Sequence, residues 1–280
     1  RFSNMVVRAD RNRRMYEKRS VASEYGRLTD LFPPERAILT RFQSEIEGAR
    51  ILDLGVGTGR TTAYLLEISR DYIGADFARQ MVERARRRFP GVRFEVLDAR
   101  DMSCFPDESF DVVIFSYNGM DCLGHEDRLT ILKEVRRILR TGGLFIFSSH
   151  HRNSDVRKAW SFKNLAVNPL RHPVRFGKKL GSYLIGIANY LGNIRETRVE
   201  DEYCILNDAA HRYSMLNYYI GIEAQMQQLR RNGYDHIDAV GIDGRWLPAE
   251  ESRTNRDKSI YYVCRRGTGA SSARGDREQS

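Results

Sequence analysis

The sequence predicts an α/β protein built on a doubly wound, mostly parallel sheet. Between Pro33 and His150, short apolar runs alternate with segments of helical periodicity. The stretch ILDLGVGTGRTT then places three glycines directly after the first apolar run. Alternation of this kind is typical of a parallel sheet with helices on both faces, and ligands of such sheets bind beyond the carboxyl ends of the strands. The glycines lie at such an end.

Each predicted element has its own sequence signal. The first helix begins at Pro33, because proline is favoured in the first turn of a helix and apolar residues then recur at helical spacing as far as Ile46. The predicted strands that follow are ILDLG, DYIGAD, VRFEVLD, FDVVIFSY and GGLFIFSS. The helices predicted between them are TTAYLLEIS, ARQMVERARRRF and EDRLTILKEVRRILR.

Length and composition restrict the class of protein. A chain of 280 residues with 41% hydrophobic content is long enough for one α/β domain with elaborations. The four cysteines are far apart and form no CxxC pair, so they indicate neither a zinc site nor a disulfide framework, and a reducing cytoplasm is expected. No run reaches the roughly 18 apolar residues that a membrane span needs, and the start lacks the layout of a secretory signal.

The glycine loop indicates what kind of ligand it receives. Gly55, Gly57 and Gly59 allow positive φ and let backbone N–H groups approach a ligand closely. The dinucleotide fingerprint G-x-G-x-x-G needs a glycine where this chain has Arg60. Asp53 would repel a phosphate but could orient the loop or hold a ligand ammonium. The loop therefore favours a zwitterionic nucleoside over a dinucleotide.

Four motifs, in this order, resemble those of class I S-adenosylmethionine-dependent methyltransferases. They are LDLGVGTGR, YIGADFARQMVERAR, VLDARDMSCFPDESFDVVIFSYN and EVRRILRTGGLFIFS, and they lie within residues 51 to 149. QMQQLRRNGYDHIDAVG and SIYYVCRR more weakly resemble the closing helix and strand pair of the same family. The resemblance implies a Rossmann-like sheet of seven strands with an antiparallel last strand. It also implies S-adenosylmethionine as cofactor.

The resemblance also assigns roles to individual residues. Asp76 would accept hydrogen bonds from the ribose hydroxyls, Phe77 and Met81 would cover the adenine, and Asp98 with the Ala99 backbone would bind the adenine edge. Taken singly, these residues could instead be helix caps or ordinary core. The full predicted cofactor set is Asp53, Gly55, Gly57, Gly59, Asp76, Phe77, Met81, Asp98, Ala99, Ser116, Tyr117 and Asn118.

Three histidines are candidate catalytic residues. If the acceptor is a hydroxyl, an imidazole is suited to accept its proton near neutral pH. His150 and His151 lie at the end of the fifth predicted strand, whereas His211 lies in YCILNDAAHRYSMLNYY, a predicted strand pair around a turn. We therefore rank His150 first, with loop surface as the alternative for the pair.

The chain is predicted to have four parts. Residues 1–32 form an N-terminal lid segment in which Tyr16 and Tyr25 could close over the cofactor. Residues 33–150 and 215–266 form the methyltransferase core, residues 151–214 an inserted substrate cap, and residues 267–280 a disordered tail with almost no apolar content. No metal site is predicted.

The inserted cap is basic, with ten Lys and Arg against three acids between positions 151 and 200. This charge could steer an anionic acceptor towards the site. Residues 174–194 combine basic residues with apolar residues at helical spacing, which fits either packing on the protein's own domain or an interfacial membrane helix. Packing on its own domain is the favoured interpretation.

The leading hypothesis is a methyltransferase acting on the oxygen or nitrogen of a small molecule. The alternatives are a nucleic-acid methyltransferase, an NAD-dependent oxidoreductase and a non-catalytic nucleoside-binding module. SYNG after the fourth strand does not match the Asn/Asp-Pro-Pro-aromatic motif of base-amine methyltransferases, and there is no Pro-Cys nucleophile. These features argue against nucleic acid.

Overall fold

The computed structural model describes residue 26 and residues 29–154, 173–208 and 210–268. The predicted lid aromatics Tyr16 and Tyr25 lie outside these ranges, as do residues 269–280 of the predicted tail. The predicted domain boundaries remain predictions.

Helices and strands alternate in the predicted order. The helices are α1 (Pro33–Arg41), α2 (Gln43–Ile46), α3 (Thr62–Ile68), α4 (Arg79–Arg88), α5 (His125–Ile138), α6 (Pro173–Asn193) and α7 (Ile222–Arg231). The strands are β1 (Ile51–Leu54), β2 (Tyr72–Asp76), β3 (Arg93–Val96), β4 (Phe110–Phe115), β5 (Leu139–His151), β6 (Arg198–Val199), β7 (Tyr203–Asn207), β8 (Leu216–Ile220), β9 (Tyr234–Val240) and β10 (Ser259–Arg266). The first predicted helix is divided at Phe42 into α1 and α2.

The central sheet has the strand order β3-β2-β1-β4-β5-β10-β9. β1 to β5 are parallel, and β10 runs antiparallel to both β5 and β9. The predicted fold class, a Rossmann-like, mostly parallel sheet with an antiparallel last strand, is confirmed. The seven strands of the prediction are part of a ten-stranded sheet, to which β6, β7 and β8 also belong.

Both faces of this sheet are buried, because alternate side chains of each strand pack against different helices. On β5, Phe145 and Phe147 join a core cluster with residues of α5 and α7, such as Val135 and Leu229. Leu144 and Ile146 of the same strand, with their side chains on the opposite face, join a second cluster that contains Ile38 of α1. The helices packed on both faces therefore support the carboxyl ends of the strands, where the glycine loop lies.

β5 extends beyond the end of β4 and supports an additional group of strands. Its last two residues, His150 and His151, pair in parallel with Tyr219 and Ile220 of β8. β8 pairs antiparallel with β7, and β7 with β6. His150 therefore lies within a strand, rather than directly after one as the apolar run suggested.

Helix α6 precedes this strand group and packs against the turn Ala210–Tyr213 between β7 and β8. Asn189 Nδ2 donates to the Arg212 carbonyl at 2.9 Å, and Asn193 Nδ2 donates to the Tyr213 carbonyl at 3.1 Å. The Tyr190 and Tyr213 rings meet edge to face at 6.0 Å. Within the described ranges, no helix is both long enough and apolar enough to cross a membrane.

Candidate active site

A cleft of about 740 Å³, including its open mouth, lies at the carboxyl ends of β1, β2 and β4. Its lining includes eight residues of the predicted cofactor set: Asp53, Gly55, Gly57, Asp76, Phe77, Met81, Ser116 and Tyr117. Asp98, Ala99, Asn118 and Gly59 are not among its lining residues in the part of the chain that the structure describes. The cleft occupies the position that the ligand rule for open α/β sheets predicts.

The three glycines of the loop have different surroundings. Gly55, Gly57 and Gly59 all have positive φ, between 58° and 83°. A Cβ on Gly55 would lie 2.7 Å from the Phe115 ring, and one on Gly59 would lie 2.6 Å from the Phe89 ring, so both are closely packed. A Cβ on Gly57 would come no closer than 4.0 Å to another atom of the chain, the Gly55 carbonyl. Gly57 thus leaves an open approach to its backbone at the cleft.

Asp76 connects the end of β2 to the glycine loop. Its two carboxylate oxygens accept hydrogen bonds from the Gly57 backbone N–H at 2.9 Å and the Ala78 N–H at 2.8 Å. Burial raises the pKa of the Asp76 carboxyl to about 6, although both backbone donors act in the opposite direction. Each carboxylate oxygen can accept more than one hydrogen bond, so Asp76 retains capacity for ligand hydroxyls.

Asp53 supports the loop from the end of β1. Its Oδ2 atom accepts hydrogen bonds from Thr61 Oγ1 at 2.6 Å and from the Tyr72 hydroxyl at 2.9 Å. Burial raises the pKa of this carboxyl to about 6 as well, and these hydrogen bonds lower it in part. Asp53 therefore fixes the start of α3, which corresponds to the loop-orienting role considered for it.

Asp98, which does not line the cleft, forms an ion pair with Arg100. Arg100 donates to both of its carboxylate oxygens, with the closest contact at 2.7 Å, and also reaches Asp127 at 3.3 Å. The adenine role of Asp98 and Ala99 remains a prediction.

Glu35 and Arg60 form a buried ion pair that no pattern in the sequence indicates. Two Arg60 nitrogens donate to the two Glu35 carboxylate oxygens at 2.6 Å each. Ser116 Oγ donates to Glu35 Oε1. The Arg60 guanidinium also lies 4.4 Å from the centroid of the Phe32 ring, which stacks on Tyr117. This Glu35–Arg60 pair ties the segment before α1 to the glycine loop and to the end of β4.

The chain turns sharply after β4, because Tyr117 and Asn118 both adopt left-handed backbone with φ of 57° and 59°. Two consecutive non-glycine residues in this region are strained and persist only when their surroundings hold them. The Asn118 backbone N–H donates to Ser148 Oγ at 2.7 Å, and its side-chain amide donates to Ser259 Oγ at 2.8 Å. β5 and β10 thus hold the turn at the mouth of the cleft.

His150 is held by a fully buried carboxylate, Asp121, in the turn Gly119–Cys122. Asp121 Oδ2 accepts hydrogen bonds from the His150 backbone N–H at 2.6 Å and from its Nδ1 at 2.8 Å. Burial disfavours the charged ring, but the hydrogen bond and charge of Asp121 outweigh burial and raise the pKa of His150 above 6.5. Gly119 and Cys122 of the same turn line the cleft.

Asp121 has a second cationic partner, Arg128 of α5. Arg128 Nη1 donates to Asp121 Oδ1 at 2.5 Å, and neither side chain is exposed. Other Arg128 nitrogens donate to the side-chain carbonyls of Gln225 at 2.5 Å and Gln228 at 3.1 Å. Both Asp121 oxygens already accept hydrogen bonds, Oδ1 from Arg128 and Oδ2 from the His150 backbone N–H, so we assign the hydrogen of the ring contact to Nδ1 of His150. In the neutral ring, Nε2 therefore holds the lone pair.

The other two candidate histidines are placed differently. His151 is fully buried, and burial lowers the pKa of its ring. His211 lies in the turn Ala210–Tyr213, and its side chain is outside the described part of the structure. Neither His150 nor His151 is among the lining residues of the cleft in the described part of the chain. His150 is connected to the cleft through Asp121, which lies in the turn between the lining residues Gly119 and Cys122.

Comparison with known proteins supports this fold. Residues 51–143 match the family model described as a methyltransferase domain. The chain therefore contains a methyltransferase domain, and its fold is that of class I S-adenosylmethionine-dependent methyltransferases.

The chain resembles several curated methyltransferases over part of their length. It is 38% identical to a demethylmenaquinone methyltransferase of Clavibacter sepedonicus over 40% of this chain and 45% of that protein. It is 34% identical to a phthiotriol/phenolphthiotriol dimycocerosates methyltransferase of Mycobacterium tuberculosis over 47% of this chain and 48% of that protein. For a fatty-acid O-methyltransferase of Mycolicibacterium smegmatis the identity is 33%, over 47% of each chain. The chain thus spans about half the length of these relatives.

Solved structures share the fold over most of the chain. A Thermotoga maritima S-adenosylmethionine-dependent methyltransferase, described as a possible histamine N-methyltransferase, aligns with a TM-score of 0.52 and 20% identity over 91% of this chain and 99% of that one. The 1,6-didemethyltoxoflavin-N1-methyltransferase of Burkholderia thailandensis, with 1,6-didemethyltoxoflavin and S-adenosylhomocysteine bound, aligns with a TM-score of 0.52. The identity is 14%, over 84% of this chain and 78% of that one.

Proposed function

We propose that this protein is an S-adenosylmethionine-dependent methyltransferase acting on the oxygen or nitrogen of a small molecule. The observation that carries the proposal is the pairing of Gly57 with Asp76 at the cleft. The Cα of Gly57 has open space beside it at the cleft, and its N–H donates to the buried Asp76 carboxylate. These features suit a nucleoside ribose better than a phosphate, since the carboxylate would repel a phosphate.

The cleft residues fit the cofactor chemically. Asp76 would accept from the ribose hydroxyls, and Phe77 with Met81 would cover the adenine ring. Gly55, Gly57 and Gly59 would supply loop backbone, and Ser116, Tyr117 and Asn118 the end of β4. Asp53 would orient the loop, and Asp98 with the Ala99 backbone would bind the adenine edge. When bound, S-adenosylmethionine supplies an electrophilic methyl group. Methyl transfer is an in-line displacement, so the residues around the cleft mainly align the acceptor and exclude water.

His150 is the proposed general base for a hydroxyl acceptor. Asp121 fixes the ring through Nδ1, so Nε2 can take the proton that leaves as the acceptor oxygen attacks. The curated relatives are named for quinone, lipid and fatty-acid acceptors. They support an acceptor with an apolar skeleton, and we place nucleic acid behind small molecules.

The decisive experiment compares cofactors and then screens acceptors. Thermal stabilisation of the purified chain by S-adenosylhomocysteine, but not by NAD, would support the methyltransferase over the oxidoreductase. Mass spectrometry of candidate acceptors for the gain of one CH₂ unit would then identify the substrate. Stabilisation by NAD alone would overturn the proposal, whereas S-adenosylhomocysteine binding without any methylated product would favour a nucleoside-binding module.

Substitution of Gly57 should separate ligand binding from backbone strain. We expect Gly57→Ala to abolish detectable S-adenosylhomocysteine binding, because the methyl group would enter the cleft. Gly48→Ala is the matched control, since Gly48 has φ of 67°, no atom within 4 Å of an added Cβ and a position outside the cleft lining. Both variants should lose about 1 kcal/mol of stability from strain. Calorimetry that shows equal affinity in both variants would contradict the assignment.

Cofactor affinity should depend on the ionisation of Asp76. Because its pKa is about 6, S-adenosylhomocysteine should bind with constant affinity above pH 7 and more weakly as the pH falls below 6. Asp76→Ala should weaken binding at neutral pH by about 1 to 3 kcal/mol, and Asp76→Asn should remove the pH dependence. Asp53 titrates in the same range, so a dependence that persists in Asp76→Asn would belong to another group and reject this role.

The predicted anionic acceptor can be tested through ionic strength. If the excess of basic residues between positions 151 and 200 steers the acceptor, its KM should rise with added salt while kcat stays constant. A KM that is independent of salt, measured with the acceptor found by mass spectrometry, would exclude electrostatic steering.

A further inference from the structure

Helix α6 exposes an apolar face. Eleven residues between positions 174 and 193 are exposed, and nine of them are apolar or glycine; the other two are Arg175 and Lys178. The nine are Val174, Gly177, Leu180, Gly181, Leu184, Ile185, Ala188, Leu191 and Gly192, called here the α6 face. A surface helix of a globular protein normally presents polar residues to water, so this pattern is reversed.

The α6 face lies opposite the side that packs against the protein. Gly186, Asn189 and Asn193 meet the turn Ala210–Tyr213 and follow one another at helical spacing. Leu184 and Leu191, which are 57% and 60% exposed, lie at the same spacing on the other side. Packing on the domain, the interpretation favoured from the sequence, therefore accounts for one side of α6 and leaves the apolar side uncovered among the described residues.

The charge around α6 indicates what covers this face. Residues 173–199 contain five basic residues and one acid, Glu196. Three of the basic residues, Arg175, Lys178 and Lys179, lie at the start of the helix, and the other two, Arg195 and Arg198, follow its end. If a second copy of this chain covered the α6 face, the basic residues of the two copies would lie close together. Each copy has one acid in this range, Glu196, to offset their repulsion. An anionic lipid surface offers both an apolar interior for the leucines and negative headgroups for the flanking cations.

We infer that α6 lies in the surface of an anionic membrane, with the α6 face buried among the acyl chains and the flanking basic residues at the headgroups. The helix would lie along the surface. The contact is independent of methyl transfer, and its test needs no activity measurement.

The test is sedimentation of the purified chain with vesicles. Vesicles of phosphatidylcholine alone are compared with vesicles that contain about one third phosphatidylglycerol. The wild-type chain should bind the anionic vesicles, and added salt should weaken binding. Leu184→Gln with Leu191→Gln should reduce the partition coefficient about tenfold or more, because two leucines lose their burial. Glutamine preserves helix propensity, which circular dichroism would verify.

Two further variants complete the test. Lys178→Glu with Lys179→Glu should weaken binding to anionic vesicles. Val96→Gln with Ile242→Gln, which removes two exposed apolar side chains from other surfaces, should bind like wild type. Equal binding by the wild-type and leucine variants, or no binding by wild type, would overturn the inference. So would a dimer in analytical ultracentrifugation that the leucine substitutions dissociate, since the α6 face would then be a contact between copies.

Discussion

His150→Gln should lower kcat by about 10² to 10⁴ while the affinity for S-adenosylhomocysteine stays unchanged, the range expected when a general base is removed. The wild-type kcat should increase with pH through the pKa of His150, which lies above 6.5, and level off once the ring is neutral. The variant should lose this pH dependence. Single-turnover kinetics with a hydroxyl acceptor would measure the rate of the chemical step and its pH dependence in the wild type and the variant.

Two variants test whether the effect belongs to this imidazole. Asp121→Asn removes the charge that raises the His150 pKa, so the midpoint of the pH profile should move to lower pH. His236→Gln replaces an exposed histidine on β9 and should leave the profile unchanged. A near-normal kcat in His150→Gln would show that alignment of the acceptor alone is sufficient.

Asp121→Ala should lower the free energy of unfolding by about 3 to 5 kcal/mol, because it leaves the Arg128 guanidinium buried without its carboxylate. Neither side chain of the Asp121–Arg128 pair is exposed. Urea unfolding would measure the loss, provided that the slope of the unfolding free energy against urea concentration is the same in the variant as in the wild type.

The double variant Asp121→Leu with Arg128→Met gives the matched comparison. Removing both charges leaves no uncompensated ion, so most of the lost stability should return. The single variants Asp121→Leu and Arg128→Met complete the comparison. If the double variant loses as much stability as these two together, the hydrogen bonds of Arg128 to Gln225 and Gln228, rather than the charge pair, stabilise this region.

The strands β1 to β5 could be predicted from the sequence because each of them has a local sequence pattern. Apolar runs mark β1 to β5, glycines mark the loop after β1, and the acidic residue after YIGA marks Asp76. The same patterns placed most of the predicted cofactor set on the cleft.

The sequence could not predict the polar pairs that depend on chain crossings. Glu35 lies 25 positions from Arg60 and 81 from Ser116, and no periodicity connects them. Asp121 also carries no sequence signal, because its partners Arg128 and His150 belong to two other elements, α5 and β5. The sequence shows apolar residues at helical spacing between positions 174 and 194, but which side of α6 contacts the domain depends on the turn at Tyr213, which the spacing does not reveal.

The placement of His150 on β5 would separate the proposed proton removal from the part of the chain proposed to contact the acceptor. β5 is hydrogen-bonded to β4, β10 and β8, so the proposed base is built into the scaffold. The segment between β5 and β8 leaves this scaffold at His151 and returns to pair with it at Ile220. Helix α6 lies in this segment before β6 to β8 and takes no part in the pairing of β5 with β8, so its length and composition could change while the strands that hold His150 stay in place.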